Sequence, residues 1–321
     1  MAEKKEIKSV ADLPGVGEKI AAKLDGAGFI DLMSIAAASP KELTEVAELG
    51  DQTASKIIEA AREALNIGFE SATKVLERRA KAIKITTGSK NMNALLGGGI
   101  ETGGTVEAHG GFGSGKSQLA HQLAVNVQLP VEKGGANGGC LFIDTENTFS
   151  PSRIEQMAKA VKLDTKKAME NILVARAYNA DHQCVLVDKA GEYIRPKNIK
   201  IIVVDSVTAL FRADYTGRGE LAPRQQKLNR HLHALQRLAD VYGVAIYMTN
   251  QVMSRPDMMF GDPTTPIGGH VMGHFAGIRL YLRKSKGVNR IARMIDAPNL
   301  PEGECVFTVT TEGLGDPEEK E

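Results

Sequence analysis

The stretch GGFGSGKS at residues 110–117 carries the most specific chemical signal in the sequence. It fits the phosphate-loop pattern G-x-x-x-x-G-K-[ST], follows a predicted strand at 105–108 and opens a predicted helix, which is the context such a loop needs. Glycines let backbone N–H groups wrap the phosphates, Lys116 reaches the β- and γ-phosphate oxygens, and the Ser117 hydroxyl ligates Mg²⁺. We therefore expect ATP and Mg²⁺ to bind here, with the nucleotide held by Gly110, Gly111, Phe112, Gly113, Ser114, Gly115, Lys116, Ser117 and Gln118.

Two further predicted strands end in carboxylates. The apolar run 201–205 ends at Asp205, and a carboxylate in that position downstream of a phosphate loop is expected to hold the magnesium shell together with Ser117. The run 140–144 ends at Asp144, and Glu146 lies just past that edge, where a base could orient the attacking water. The residues alone leave Asp144 as the competing base and an ordinary surface-turn acid as the other interpretation of Glu146.

A third apolar run, at 244–249, is followed by the amides Asn250 and Gln251. A buried strand tipped with amides suits a sensor of the γ-phosphate, because an amide both donates and accepts hydrogen bonds. The pattern alone leaves an ordinary strand end open as well.

Two polar segments offer surfaces for nucleic acid. Residues 209–228 carry Arg212, Arg218 and Arg224 with Tyr215 among them; arginine forks suit phosphates and an aromatic ring can stack on a base. A solvated loop is the alternative interpretation. Residues 252–269 form a long segment with little periodicity, and its apolar residues suit insertion into a partner. The candidates in that segment are Met259 and Phe260.

The pattern along the chain changes twice. Residues 1–66 look like a small helical domain, in which the segments 12–29 and 42–61 each read as a short turn feeding a helix. This is the helix-hairpin-helix pattern, whose glycine turn lets N–H groups approach phosphates; an αα-hairpin used only for packing is the alternative to DNA binding. Residues 67–84 form a basic connector, and residues 85–321 alternate short apolar runs with helical stretches.

That alternation predicts an α/β domain with a mostly parallel central sheet. Near the C-terminus, the runs 278–285, 290–297 and 305–313 read as consecutive antiparallel strands. The helix after Arg224 spaces its leucines for a core face rather than for function. Those leucines are Leu228, Leu232, Leu235 and Leu238.

Bulk properties set limits on the class of protein. With 321 residues the chain can form one large domain and a small one, and its net charge of only +1 restricts a nucleic-acid surface to a local patch. Cys140, Cys184 and Cys305 are few and widely spaced, which predicts a reducing compartment with no disulfide framework and no zinc site. No apolar stretch approaches ~20 residues and the first residues lack an apolar signal segment, so we expect a cytoplasmic protein without a membrane partner.

The order of elements and a set of short strings resemble the archaeal RadA recombinases of the RecA family over nearly the whole chain. The matching strings are DLPGVG, GFESA, GFGSGKSQ, DTENTF, ARAYNADHQ, YTGRGELAPRQQKL, TNQV, PIGGH, LYLRKSKG and DAPNLPEGE. A generic ATPase would share only the phosphate loop. The resemblance implies a RecA-like P-loop ATPase core preceded by a small all-α helix-hairpin-helix domain. It also implies an ATP-dependent recombinase that forms a helical filament on single-stranded DNA and catalyses homologous pairing and strand exchange in DNA repair.

The resemblance further assigns roles to single residues. It makes Glu146 the catalytic base, acting with Lys116, and it lets the two polar segments line the DNA axis of a filament. It makes Phe69 and Ala72 an F-x-x-A clip in the connector 67–84, which docks onto the ATPase domain of the next subunit. Without the resemblance, Phe69 would be read as an ordinary core phenylalanine.

The remaining implied roles concern neighbouring subunits and DNA. Asp296 and Pro298 lie in a string that resembles a cap over ATP supplied by a neighbour, and Gln251 and His270 match positions that couple the γ-phosphate to the second DNA segment. The implied partners are single- and double-stranded DNA and further copies of the chain, in a filament or ring, associated with the nucleoid.

Three positions depart from the family pattern. Ser150 stands where relatives often have arginine, which puts a nucleotide contact there in doubt. Gly111 stands where relatives often have glutamate. The string MMFG at 258–261 stands where relatives often have paired phenylalanines, so DNA contacts of the second segment are expected to be weaker or different.

Two other functions compete with strand exchange. A DNA-binding regulator that binds ATP would be expected to lack the N-terminal domain, the clip or the base, whereas the sequence has all three. A ring-forming RecA-fold helicase would need another subunit contact, and the string GFESA favours the clip instead.

Overall fold

The computed structural model describes residues 7–217, 219–254, 264–273 and 275–318. The chain divides into two compact units, Met1–Lys81 and Ala82–Glu321, so the division falls inside the connector predicted at 67–84. The two units are described separately.

The first unit is helical. Its helices are α1 (Glu18–Gly26), α2 (Leu32–Ala36), α3 (Pro40–Ala47), α4 (Asp51–Ala64) and α5 (Ala72–Ala80), preceded by a 3₁₀ turn at Val10–Asp12. Helices α1 to α4 enclose a small apolar core around Leu24, Ile35, Leu43 and Ile57, each fully buried. Burying such a side chain contributes roughly 1.5–3 kcal/mol, so this short segment can form its own core.

Glycine turns precede the two longest helices of that core. Gly17 is the N-cap of α1, after Gly15 with φ +86°, and Gly50 is the N-cap of α4. Between them, α3 begins with proline at its first position and a reciprocal cap between Ser39 and Glu42. The two predicted turn-and-helix segments are thus the two hairpins of the unit.

The connector contains a helix that the sequence did not predict. Helix α5 begins after Ser71, whose Oγ accepts a hydrogen bond from the Lys74 N–H, and none of its side chains is buried. Arg78 and Arg79 lie in its last turn, where positive charge favours the helix dipole.

The second unit contains the remaining elements. Its helices are α6 (Lys90–Leu95), α7 (Lys116–Asn126), α8 (Pro151–Ala160), α9 (Thr165–Glu170), α10 (Ala180–Asp188), α11 (Gly191–Ile194), α12 (Ala209–Asp214), α13 (Leu221–Tyr242) and α14 (Gly269–Gly273). Its strands are β1 (Lys84–Ile85), β2 (Ile100–Glu101), β3 (Thr105–His109), β4 (Gly139–Asp144), β5 (Ile172–Arg176), β6 (Ile199–Asp205), β7 (Ala245–Asn250), β8 (Val252–Ser254), β9 (Thr264–Pro266), β10 (Ile278–Lys284), β11 (Asn289–Asp296), β12 (Gly303–Thr310) and β13 (Gly313–Gly315).

Among the described residues of the unit, nine strands form one sheet in the order β13-β12-β11-β10-β3-β7-β6-β4-β5. The pairings from β10 to β5 are parallel, and those among β10, β11, β12 and β13 are antiparallel. The mostly parallel sheet and the antiparallel C-terminal strands are therefore as predicted. Strand β5 was missed because it is a short, half-exposed strand at the end of the sheet.

Two apolar layers cover the sheet. One contains side chains of α7 and α8, such as Leu119, Leu123 and Met157, and the other contains Phe211 of α12 together with α13. The leucines of α13 are buried in this second layer, as their spacing predicts; they are Leu228, Leu232, Leu235 and Leu238. Because the parallel strands share a direction, their carboxyl ends meet at one edge, where open α/β sheets bind ligands.

Candidate nucleotide-binding and catalytic site

The phosphate loop lies between β3 and α7, as the sequence predicts. Gly110 has φ +155°, and a Cβ there would lie 2.0 Å from the carbonyl oxygen of Leu282. Gly113 has φ +70°, and a Cβ there would lie 2.5 Å from Cε of Lys284. The Leu282 carbonyl requires glycine at 110, whereas at 113 the left-handed φ favours glycine and the flexible Lys284 side chain can move aside. A loop of this kind lets backbone N–H groups surround a phosphate.

Lys116 points back over this loop. Its Nζ donates hydrogen bonds to the carbonyl oxygens of Gly110 (2.8 Å) and Gly111 (3.0 Å). Burial lowers the pKa of the Lys116 ammonium group, and the nearby carboxylates of Asp205 and Glu146 oppose that shift. A partly desolvated ammonium group next to the backbone N–H groups of the loop is a favourable partner for phosphate oxygens.

Asp205 ends β6 and is 3% exposed. Its Oδ1 accepts a hydrogen bond from the Thr249 hydroxyl and its Oδ2 accepts one from the Thr148 hydroxyl at 3.3 Å. Ser117, the first-turn hydroxyl of α7, lines the same cleft. Beside them, Ser206 Oγ is buried without a hydrogen-bond partner among the described residues. Hydroxyl and carboxylate oxygens are the donors that Mg²⁺ prefers, so the residues present fit that ion.

The geometry separates the two candidate bases. The Asp144 carboxylate accepts hydrogen bonds from the backbone N–H groups of Glu146, Thr148 and Phe149. Its Oδ1 lies 3.6 Å from Nη1 of Arg176. Asp144 thus holds the turn after β4 in shape, and within the described residues it does not line the cleft. Glu146 is exposed, lines the cleft, and its Oε1 accepts a hydrogen bond from Gln251 Nε2 at 2.7 Å.

Side chains on one face of β7, and that of Gln251 just after it, contact the phosphate loop and both carboxylates of the site. The Tyr247 hydroxyl donates to the carbonyl oxygen of Lys116 at 3.0 Å, Thr249 donates to Asp205, and Gln251 donates to Glu146. These residues are two apart, so their side chains point to the same side of the strand. A single central strand therefore sets the distances between the phosphate loop, the buried aspartate and the exposed glutamate.

The cleft that these elements enclose has a volume of about 930 Å³. Besides the predicted loop residues, Asp205, Glu146 and Gln251, its lining includes several residues that the sequence analysis did not single out. They are His121, Thr148, Arg153, Gln156, Ser206, Thr249, Val252, Arg290, Val309, Thr310 and Thr311.

Arg153 and His121 are missed residues that contact several parts of the site. Arg153 donates from its guanidinium to Gln118 Oε1 and to the carbonyl oxygens of Thr310 and Thr311. His121 Nδ1 lies 2.6 Å from the Ser117 carbonyl oxygen, and its Nε2 accepts from the Ser150 N–H. Burial is the main cause that lowers the pKa of His121. Its position one helical turn after Ser117 was a signal that sequence reasoning could have used.

Ser150, which departs from the family pattern, acts locally as the N-cap of α8. Its Oγ accepts a hydrogen bond from the Arg153 N–H, and the residue lines the cleft. A serine in this position caps the helix that carries Arg153.

Comparison with known proteins agrees with this geometry. The Rad51 family model matches residues 78–317, which is most of the chain and contains the phosphate loop and the whole sheet. The chain belongs to the Rad51 family. A tandem helix-hairpin-helix model, described as SAM-like, matches residues 7–63 of this Rad51-family chain.

Two curated relatives extend the match over the full length. The DNA repair and recombination protein RadA of Aeropyrum pernix is 55% identical over 316 residues, which is 98% of this chain and 99% of the relative. The protein of the same description from Metallosphaera sedula is 54% identical over 318 residues, which is 99% of this chain and 98% of the relative. The predicted resemblance is confirmed, and with it a RecA-family recombinase that is a DNA-dependent ATPase.

The structure corrects the description of the first polar segment in this Rad51-family protein. A helix was expected only after Arg224, whereas α12 and α13 together occupy most of residues 209–228. Arg212 is exposed on α12 and Arg224 is half-buried in the first turn of α13. Tyr215 follows α12, and its hydroxyl accepts a hydrogen bond from Lys227 at 3.1 Å. Arg218, Met259 and Phe260 lie outside the described residues.

The predicted clip residues are exposed. Phe69 has a relative exposure of 113%, so its interpretation as a core phenylalanine is wrong for this chain, and Ala72 is exposed at the start of α5. A single exposed apolar side chain is common on protein surfaces, so the clip role of Phe69 stays a prediction.

Three further predicted residues are exposed and do not line the described cleft of their own chain. Asp296 is exposed at the end of β11, Pro298 is exposed in the following turn, and His270 is exposed in α14. Among the described residues, the cleft lining includes none of these three. In the described parts of the chain, no helix is both long and apolar enough to cross a membrane.

Proposed function

We propose that this Rad51-family protein binds ATP with Mg²⁺ in the cleft at the carboxyl ends of β3, β4, β6 and β7. It forms a helical filament on single-stranded DNA, in which ATP hydrolysis accompanies homologous pairing and strand exchange with duplex DNA. The observation that carries the proposal is the 2.7 Å hydrogen bond from Gln251 to Glu146, because it joins a cleft acid to the residue directly before the second polar segment.

The cleft supports hydrolysis by position and charge. Backbone N–H groups of the loop bind the phosphates, Lys116 neutralises the β- and γ-oxygens, and Ser117 and Asp205 hold the magnesium ion. When bound, that ion neutralises the charge that develops on the transferred phosphoryl group. Glu146 orients the attacking water and accepts its proton, while Gln251 fixes the carboxylate by its hydrogen bond. Asp144 keeps the supporting turn in place.

A neighbouring copy is the partner proposed for Phe69. Strand β5 is the outermost strand at one end of the sheet. Its Leu173 is partly exposed, as is Leu186 of α10, and both pack against the same apolar cluster. Tyr193 of α11 is a further exposed aromatic side chain of this unit, at 46%. The non-helical residues 67–71, which carry Phe69 and end just before Ala72 at the start of α5, add to such an edge and insert the aromatic ring.

DNA is proposed to contact the two polar segments. Arg212, Arg218 and Arg224 bind phosphates, and Tyr215, Met259 and Phe260 contact bases. The glycine turns before α1 and α4 add sequence-independent contacts to phosphates. A protein that works on DNA in this way is expected inside the cell with the nucleoid.

Electron microscopy with ATP and single-stranded DNA tests this proposal. The expected result is helical filaments whose length follows the DNA and which disassemble when ATP is removed. Rings whose size does not change with the length of the DNA would favour a helicase. Single particles bound to DNA would favour a regulator. Either result would overturn the proposed filament.

The nucleotide cap is proposed to act between subunits. Asp296 and Pro298 do not line the described cleft of their own chain, which supports their donation to a neighbour. Lys116→Ala and Asp296→Ala proteins should therefore each hydrolyse ATP poorly alone. When they are mixed on single-stranded DNA, some interfaces pair an intact phosphate loop with an intact cap, and the measured hydrolysis rate should exceed the sum of the separate rates.

The control for this mixture is a proof of co-assembly, by a fluorescent label on each variant and energy transfer between the labels. Recovery of activity together with energy transfer supports a shared site. Energy transfer without recovery would show that Asp296 acts within its own subunit or is only structural.

A further inference from the structure

A buried junction lies on the other face of β7, opposite the nucleotide cleft. At its centre is Asn250, whose side chain is fully buried. Its Nδ2 donates to Glu107 Oε1 and to the carbonyl oxygen of Ile267, both at 2.7 Å, and its Oδ1 accepts from the Thr208 hydroxyl at 2.6 Å. One amide thus joins a central strand, the start of α12 and the segment that leads into α14.

One side of the junction is firmly anchored. Glu107 is fully buried in β3, and its Oε2 accepts from Arg279 Nε of β10 at 2.7 Å. A buried carboxylate must stay paired, because removing one partner leaves an uncompensated charge. The ion pair with Arg279 therefore fixes the position of the Glu107 carboxylate, to which Asn250 Nδ2 donates.

The other two contacts lead to the segments proposed to meet DNA. Thr208 is the N-cap residue of α12, which carries Arg212. Ile267 directly follows β9, at the end of the second polar segment. Its backbone N–H also donates to the Gln251 carbonyl oxygen at 3.0 Å. Ile267 is consequently bonded to the side chain of Asn250 and to the main chain of Gln251, so these two residues must move with it.

We infer that Asn250 is a positioning residue that couples both DNA-contacting segments to Gln251 and hence to Glu146. This inference rests on the proposed function. The amide links the described ends of the two segments, while the Glu107–Arg279 pair supplies the fixed reference. When DNA binds to either segment, the hydrogen bonds of Asn250 set where the next residue, Gln251, places the Glu146 carboxylate. The same bonds make hydrolysis respond to DNA.

The test measures ATP hydrolysis with and without a single-stranded oligo-dT in the full chain. Asn250→Ala removes all three bonds, and we expect kcat with DNA to fall by about tenfold or more, because small misplacements of catalytic groups are costly. The KM for ATP should stay within about twofold, because the phosphate loop is not altered. Thr208→Val removes a single bond and should lower kcat with DNA by roughly threefold in the same direction.

Gln225→Ala is the matched control. Gln225 Nε2 donates to the Gly268 carbonyl oxygen at 3.2 Å. This variant therefore removes a contact of the second polar segment next to Ile267 without altering a bond of Asn250. It should keep the stimulation by DNA that the unaltered chain shows. Thermal unfolding of each variant establishes that it is folded, and Thr208→Val carries the test if Asn250→Ala does not fold.

Three outcomes would overturn the inference. Normal stimulation in Asn250→Ala, or in Thr208→Val if that variant carries the test, would make the junction merely structural. An equal loss in Gln225→Ala would mean that any loosening of the segment has this effect. Absence of stimulation in the unaltered chain would instead contradict the proposed function itself, and the inference would fall with it.

Discussion

The Glu146→Gln protein is expected to bind ATP as tightly as the unaltered chain and to hydrolyse it about 100-fold more slowly or worse, because it lacks the general base. Glutamine keeps the oxygen that accepts the hydrogen bond from Gln251, so the shape of the cleft is retained. It cannot accept a proton from water, since an amide is not basic at neutral pH. Binding of a fluorescent ATP analogue and phosphate release on single-stranded DNA measure the two effects separately.

Asp144→Asn serves as the contrasting variant. The Asp144 carboxylate accepts from three backbone N–H groups, so the change should lower the melting temperature, whereas Glu146→Gln should leave it unchanged because Glu146 is exposed. A normal hydrolysis rate in Glu146→Gln would place the base elsewhere, and Asp144 would be the next residue to test.

The Phe69→Glu protein is expected to be monomeric under conditions in which the unaltered chain assembles. A phenylalanine inserted into the pocket contributes roughly 2 kcal/mol by burial. Glutamate loses this contribution, and placing its ionised carboxylate in the same apolar pocket adds a further cost. A loss of about 2 kcal/mol alone weakens each contact roughly 30-fold, and every contact in a filament is affected. Light scattering coupled to size exclusion gives the mass distribution.

Leu76→Glu is the matched control for assembly. Leu76 is also an exposed apolar residue, at 69%, on the helix that follows Phe69, but it is not part of the F-x-x-A clip. We expect this variant to assemble normally and both variants to keep their melting temperatures. If Phe69→Glu assembles like the unaltered chain, Phe69 has another role; if both variants are monomeric, the contact involves the whole helix rather than the clip.

The sequence was sufficient for features that depend on neighbouring residues in the chain. The phosphate loop is local, because its glycines, Lys116 and Ser117 all lie within one strand-loop-helix unit whose geometry follows from their types. The α/β class likewise follows from alternating periodicity, and the helix-hairpin-helix unit from its glycine turns.

Tertiary structure decided what depends on residues far apart in the chain. Asp144 and Glu146 are equivalent acids by sequence; they differ because three N–H groups surround one and Gln251, 105 positions later, reaches the other. The same-face positions of Tyr247 and Thr249 could have been derived from the period of a strand, but not the elements that they meet.

Burial was the second property that only the fold could supply. The sequence around Phe69 would be the same whether its side chain packed in its own domain or were exposed. Only the structure shows that it is exposed. Asn250 is the converse case, since its position after an apolar run does not reveal that three distant groups converge on it. Local sequence sets backbone geometry and periodicity, whereas the pairing of polar groups requires the sheet to bring separate strands and loops within hydrogen-bonding distance.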